Sequence, residues 1–446
     1  MSKKKDKMSV LQLTMITAIN MMGSGIIMLP TNLAQVGTMS ILSWLVTGVG
    51  SMALAYAFAQ CGMFSRNEGG MGGYAEYSHG TAGSFMANYS YGVSLVIANI
   101  AIAISAVGYS SVFLGVQLSP VAVGLWTIFT LWLATALNFG GASITGKLGS
   151  ITVWGVIIPV LGMSTIGWFW FSGHQYVTAW NPNHLPFFTA VGKSISITLW
   201  AFLGLESASA NMDAVENPKK NVPIACLGGT IGAGIIYIIS TNVIAGIVPN
   251  ASLLNTNAPF GLAYASMLGP IAGKIVMALM VMSCFGSLLG WQFTIAGVFR
   301  SSAVEGYFPK AFGKVSKNGT PVLGMCIITI GQSLLALMTI SPTLAKQFNV
   351  LVNLAVVTNV IPYLLSMSSV NTIMKSENVP EGKIKKTTFI ALIASAYSLY
   401  ALYSSGLEPM FYGSIVTFAG WTLYGFVSHR FDVKKSDKDK SEELIA

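Results

Sequence analysis

Charge is what this chain has least of. Only 9% of its 446 residues are Asp, Glu, Lys or Arg, against 53% hydrophobic residues and a mean hydropathy of +0.66. A soluble domain of this length needs more charge to cover its surface, so a soluble enzyme is excluded and a membrane protein is indicated. Cysteine and histidine are as sparse, at four each. Cys61, Cys226, Cys284 and Cys326 stand singly, without metal-ligand spacing, and read as small packed side chains. His79, His174, His184 and His429 are isolated in loops or at helix ends. No P-loop lysine follows "GGMGG" (69–73), which reads as a flexible loop. With no nucleophile and base, no paired carboxylates and no metal cluster to build on, the chain is expected to be no enzyme and to need no cofactor or metal.

What it does have is apolar runs of about 20 residues, the length that crosses a bilayer core. They recur from "VLQLTMITAINMMGSGIIMLP" to "YGSIVTFAGWTLYGFV", about twelve in all, and the connections between them are too short for a soluble domain. Residues 1–446 therefore read as one membrane-embedded unit, all-α, with short tails at 1–8 and 430–446. The net charge of +9 follows from topology. If twelve spans start inside, all of the 24 Lys and Arg except Lys193, Lys274 and Lys346 fall on the cytoplasmic side. That asymmetry places both termini in the cytoplasm and makes nucleic acid an unnecessary partner; the bilayer is the expected one.

Two of these spans read as discontinuous. The first carries "NMMGSGIIMLP" (20–30), with Gly23 and Gly25 flanking Ser24, and the sixth carries "WAFLGLESASAN" (200–211), with Gly204 beside Glu206. Glycine in a spanning helix also serves close packing of a neighbour. Spans 1 and 6, however, are equivalent positions if the first ten spans form two five-helix halves, and matched helix breaks mark the central site of a secondary transporter.

Of the 15 acidic residues, Glu206 alone falls inside a span. A charge there costs about 2.5–3.5 kcal/mol on insertion scales, so it should face a cavity or a partner. No Lys or Arg in a span is placed to meet it. A carboxyl in that position either holds a proton or is ionised opposite an arriving cation, which would couple protons to a cationic solute. Trp200, Trp291 and Tyr91 or Tyr89 could offer ring faces to an ammonium group, each worth about 0.5–2 kcal/mol, or simply pack. Asn99, Asn353 and Thr358 could bond a substrate or another helix. A cation channel would need a ring of acids along a pore, and one buried Glu fits a gated site better.

These segments, together with "VENPKKNVPIA", "SLLGWQFTIA", "GGMGGYAEY", "ITVWGVIIPV" and "FNVLVNLAVVTN", resemble the amino acid, polyamine and organocation transporter superfamily, within its basic amino acid/polyamine antiporters. The resemblance covers essentially the whole chain. It implies a LeuT-type five-plus-five inverted repeat with two further C-terminal helices, and alternating access around a site where Gly23, Ser24 and Gly25 offer backbone groups to a carboxylate. It ties Cys61, Tyr91, Trp200, Glu206, Trp291 and Tyr424 to recognition or transport, and Glu76, Tyr77, Tyr89 and Cys284 to secondary roles. Tyr307 with Arg300 is tied to the amino-acid substrate. Arg300, Ser209 and Phe285 depart from the pattern, which has lysine and two cysteines there, and Ile102 argues against a guanidinium substrate. The implied activity is exchange of cytoplasmic putrescine for external ornithine at the inner membrane, with proton-coupled putrescine uptake as a second mode. Histidine/histamine and lysine/cadaverine are the alternative pairs, and a homodimer is compatible with it.

Overall fold

A computed structural model describes residues 9–23, 25–67, 70–206 and 217–443. Among them there is no strand; the chain is a bundle of helices. In order these are α1 (Val10–Met21), α2 (Leu29–Leu33), α3 (Ser40–Phe64), α4 (Met71–Leu114), α5 (Pro120–Asn138), α6 (Ala142–Thr152), α7 (Trp154–Thr165), α8 (Gly173–Thr178) and α9 (Phe187–Trp200). They continue with α10 (Pro218–Ile247), α11 (Asn250–Leu254), α12 (Pro259–Leu268), α13 (Pro270–Val304), α14 (Lys310–Gly313), α15 (Val322–Met338), α16 (Leu344–Ser376), α17 (Glu381–Ser404) and α18 (Leu407–Glu443).

Nine helical segments among the described residues are long and apolar enough to cross a bilayer. Three apolar stretches fall short of that length: 10–33 and 187–206, both interrupted, and α15 with 17 residues. Large side chains such as Phe169, Phe188, Met338 and Leu407 are more than four-fifths exposed, which in water would be an aggregation hazard and in lipid is the ordinary outer face. The core runs along α3, α4, α13 and α16, with Phe58, Tyr109, Phe348 and Tyr363 fully buried.

The segment 65–84 departs from the sequence reading. It is polar and was expected to be a loop through "GGMGG", yet α4 begins at Met71, with Gly70 as its N-cap at φ 60°. Gly72 lies against the Asn88 side chain, leaving no room for a Cβ. The helix then breaks locally at Gly80 (φ 60°, ψ −158°). Polar residues carry no apolar period, so hydropathy cannot reveal such a helix. At this end Arg66 pairs with Glu377 through Nε (2.5 Å) and Nη2 (3.0 Å), joining the turn after α3 to the end of α16. The hydrogen bond to Glu377 holds the Arg66 guanidinium above its ordinary pKa, but so exposed a pair contributes little to stability.

Helix contact depends on small residues. A Cβ on Gly155 of α7 would fall onto the backbone carbonyl of Leu279 in α13, whereas one on Gly331 of α15 meets nothing within 4 Å. Gly155→Ala should therefore lower stability by about 1–3 kcal/mol while Gly331→Ala stays near neutral. Thermal unfolding in detergent measures the difference, and equal midpoints would refute it.

Candidate functional site

Both interrupted stretches meet at the centre of the bundle. Helix α1 stops at Met21 and the chain resumes as α2 at Leu29; α9 stops at Trp200 and passes through a turn to Glu206. A Cβ on Gly25 would stand 3.2 Å from the Cα of Ala201, so the two breaks touch backbone to backbone. Gly204 has φ 104°, a conformation open to glycine, and this turns its N–H back onto Glu206 Oε2 at 3.1 Å.

Glu206 is 6% exposed. Its Oε2 also accepts from the Tyr363 hydroxyl of α16 at 2.8 Å, and its Oε1 accepts from the Tyr91 hydroxyl of α4 at 3.3 Å. The buried carboxyl is thus tied to α4, to α16 and to its own turn.

Two cavities meet at this carboxylate. One, of about 1040 Å³, is lined by Gly70, Thr145, Gly149 and Ser301 at the end that bears Lys147 and Arg300, and by Gly23, Tyr91, Glu206 and Trp291 at its depth. The other, of about 40 Å³, lies beyond them, lined by Gly25, Trp200, Gly204, Glu206, Trp291 and Asn359. Glu206 is the one Asp, Glu, Lys, Arg or His among the described residues lining either. Beyond the smaller cavity the interior is packed: Tyr109 donates to Ile27 O at 3.0 Å and accepts from the Phe260 N–H at 3.3 Å, and the ring of Trp200 stands edge-on to Phe348.

Asn99 lines neither cavity. Its Nδ2 donates to Gln292 Oε1 at 2.7 Å, and Gln292 Nε2, with two N–H groups, has three acceptors in reach: Thr135 and Thr329 Oγ1 at 3.0 Å and Gln332 Oε1 at 2.7 Å. This buried cluster joins α4, α5, α13 and α15 directly beside Trp291. Asn353 accepts from the Ser196 hydroxyl at 2.6 Å, and Thr358 bonds back to Leu354 O within α16.

Tyr89, Tyr307 and Tyr424 gather elsewhere, around Phe85: Tyr89 stacks on it at 5.9 Å, Tyr307 meets it edge-on at 6.1 Å and Tyr424 lies 5.3 Å away. Tyr424 also shares a hydrogen bond with Thr81 at 2.9 Å. Glu76 accepts from Asn67 Nδ2 at 3.1 Å and Tyr77 from the Arg66 N–H at 2.8 Å, both near the Arg66 pair. Cys61 packs its thiol on Ser366 O, Cys284 is buried in α13, and Arg300 is exposed near the cavity mouth. Ser24 and residues 207–216, Ser209 included, lie outside the described residues. Tyr363, Asn359 and Gln292 were not singled out from the sequence, although glutamine within an apolar run is itself a signal.

A cavity that enters a helical membrane bundle from one end and stops at a buried carboxylate can admit and hold a small solute. The class of protein is a multi-pass membrane transporter, as the family and the named transporters it matches also have it. The chain belongs to the amino acid permease family, whose pattern matches residues 8–424. It is 69% identical over 435 residues to the putrescine transporter PotE of Haemophilus influenzae, covering 98% of this chain and 100% of that one. It is likewise 69% identical over 431 residues to the putrescine transporter PotE of Escherichia coli K12, covering 97% and 98% of the two chains. To the cadaverine/lysine antiporter of E. coli K12 it is 35% identical over 366 residues, or 81% of this chain and 82% of that one.

Proposed function

We propose that this protein carries putrescine across the inner membrane, exchanging it for ornithine by alternating access, with proton-coupled putrescine uptake as a second mode. The observation that carries the reading is Glu206, the sole Asp, Glu, Lys, Arg or His among the described residues lining the two central cavities, in a chain 69% identical to putrescine transporters. Putrescine has two ammonium groups and no carboxylate. Glu206 pairs with one ammonium, and the faces of Trp200, Trp291 and Tyr91 surround the chain between them. Ornithine adds a carboxylate, for which the backbone around Gly23 and Gly25 supplies donors at the α1 break. Tyr424, Tyr89 and Tyr307 act from the separate aromatic cluster around Phe85.

In the reading that 10–33, 187–206 and α15 are also spans, the bundle has twelve, arranged as a single unit of two five-helix repeats plus α17 and α18. Both termini are then cytoplasmic, and the larger cavity opens to the cytoplasm at the basic end. The amine carries one more positive charge than the amino acid, so each exchange moves charge. When Glu206 is protonated the ammonium has no counter-ion, so the amine binds only after that proton has left and transport depends on pH.

Proteoliposomes loaded with labelled putrescine test this. Efflux should require external ornithine, and lysine, cadaverine, histidine and histamine should compete more weakly. Efflux indifferent to external amino acid would sink the antiport, and preference for lysine would give the site to the cadaverine pair.

A further inference from the structure

The end of the bundle opposite the basic one is nearly free of charge. In the orientation proposed above, Glu408 is the only acidic residue there among the described residues, with Lys193, Lys274 and Lys346. Glu408 and Lys346 share one cleft of about 570 Å³, within the size range of small-molecule sites, between the first turns of α16 and the turn joining α17 to α18. Neither charge is neutralised within the protein: the ion pairs among the described residues are Arg66–Glu377 and Glu381–Lys385, both at the other end. Helix α16 starts at Leu344, so its positive end lies on the Lys346 side.

One pole of the cleft is therefore cationic and the other presents a carboxylate, the complement of a zwitterion. A diamine would meet Lys346 unfavourably, and a simple anion would meet Glu408. We propose that this cleft is a second, peripheral binding site for a zwitterionic amino acid, whose carboxylate rests on Lys346 and the α16 N-terminus and whose ammonium rests on Glu408. The site is coupled to the break in the sixth span. Asn353, one turn along α16, accepts the Ser196 hydroxyl of α9 at 2.6 Å, and Phe348 holds the edge of the Trp200 ring. A ligand on the first turns of α16 thus bears on the contacts that keep α9 and Trp200 in place.

The test is equilibrium binding of labelled L-ornithine to the full-length protein in nanodiscs, with putrescine in excess to fill the Glu206 cavity. One ornithine per chain should remain bound. Lys346→Gln and Glu408→Gln should each weaken it about tenfold or more with putrescine binding unchanged. Both side chains are exposed, so folding is not at stake. The coupling is read from the rate at which labelled putrescine leaves into excess unlabelled putrescine, which simple competition does not alter. Ornithine should change that rate in the wild type, and Ser196→Ala should remove the change with ornithine still bound. No ornithine retained, or retained ornithine indifferent to both substitutions, overturns the site; an unaltered putrescine off-rate overturns the coupling. If putrescine does not bind the Glu206 cavity at all, the transport reading falls while ornithine binding that depends on Lys346 and Glu408 still supports this one.

Discussion

Glu206→Gln should abolish putrescine/ornithine exchange while leaving the protein folded. The substitution keeps the side chain's shape and one acceptor oxygen, so the Tyr363 and Gly204 donors can still find a partner, the hydroxyl by rotating. What disappears is the counter-charge. A buried ammonium that exchanges a carboxylate for a neutral amide loses about 3 kcal/mol, equivalent to a rate or affinity about a hundredfold lower. The pH dependence should vanish with it, because the group that must release a proton before it holds an ammonium has been removed; residual transport should be flat across neutral pH. Initial rates in proteoliposomes, together with the detergent unfolding midpoint, separate the two effects. A variant that transports within a few-fold of wild type, or keeps the pH profile, would place the cation elsewhere.

Gln292→Leu should do the reverse, lowering stability first. Gln292 is 1% exposed and lies within hydrogen-bond reach of Asn99, Thr135, Thr329 and Gln332. Leucine fills most of the volume but leaves Gln332 with little more than a 3.5 Å contact to Val96 O, and Asn99 without its acceptor. Each buried polar group left unmatched costs about 1–3 kcal/mol in water-based measurements and less in bilayers. The total should be about 3 kcal/mol, enough to lower the unfolding midpoint by about 5 °C. Affinity for putrescine in the folded fraction should change less than with Glu206→Gln, since Gln292 lines neither cavity. An unchanged midpoint would mean that the amide cluster is not holding α4, α5, α13 and α15 together.

The contrast between these two residues shows how far the sequence could be read. Glu206 was legible because a carboxylate in an apolar span has no structural alternative as cheap as leucine, and the glycines at 23, 25 and 204 made the two breaks legible for the same kind of reason. Tyr363 was not, since a tyrosine in an apolar span looks like any core aromatic and its partner is 157 residues away. Spacing along the chain likewise says nothing of Tyr89, Tyr307 and Tyr424 converging on Phe85, because that depends on which helices become neighbours. The helix at 71–79 was hidden by its polarity. Asn99 showed as a polar residue in a span, but whether its amide turns to the cavity or to Gln292 is decided by the rotation of α4 against α13.

The three donors on Glu206 carry one more consequence. A carboxylate offers about four lone-pair positions, and Tyr91, Tyr363 and Gly204 occupy three. An ammonium that brings two or three N–H groups to this carboxylate exceeds the room left, so it competes with these donors, and the rotatable tyrosine hydroxyls yield more readily than a backbone N–H. Tyr91 rides on α4 and Tyr363 on α16, whereas Gly204 shares a turn with the carboxylate itself. If putrescine loads on Glu206 as proposed, a displaced tyrosine unfastens the turn from α4 or from α16 and unloading refastens it, so an empty carrier and a full one would be held together by different sets of helices.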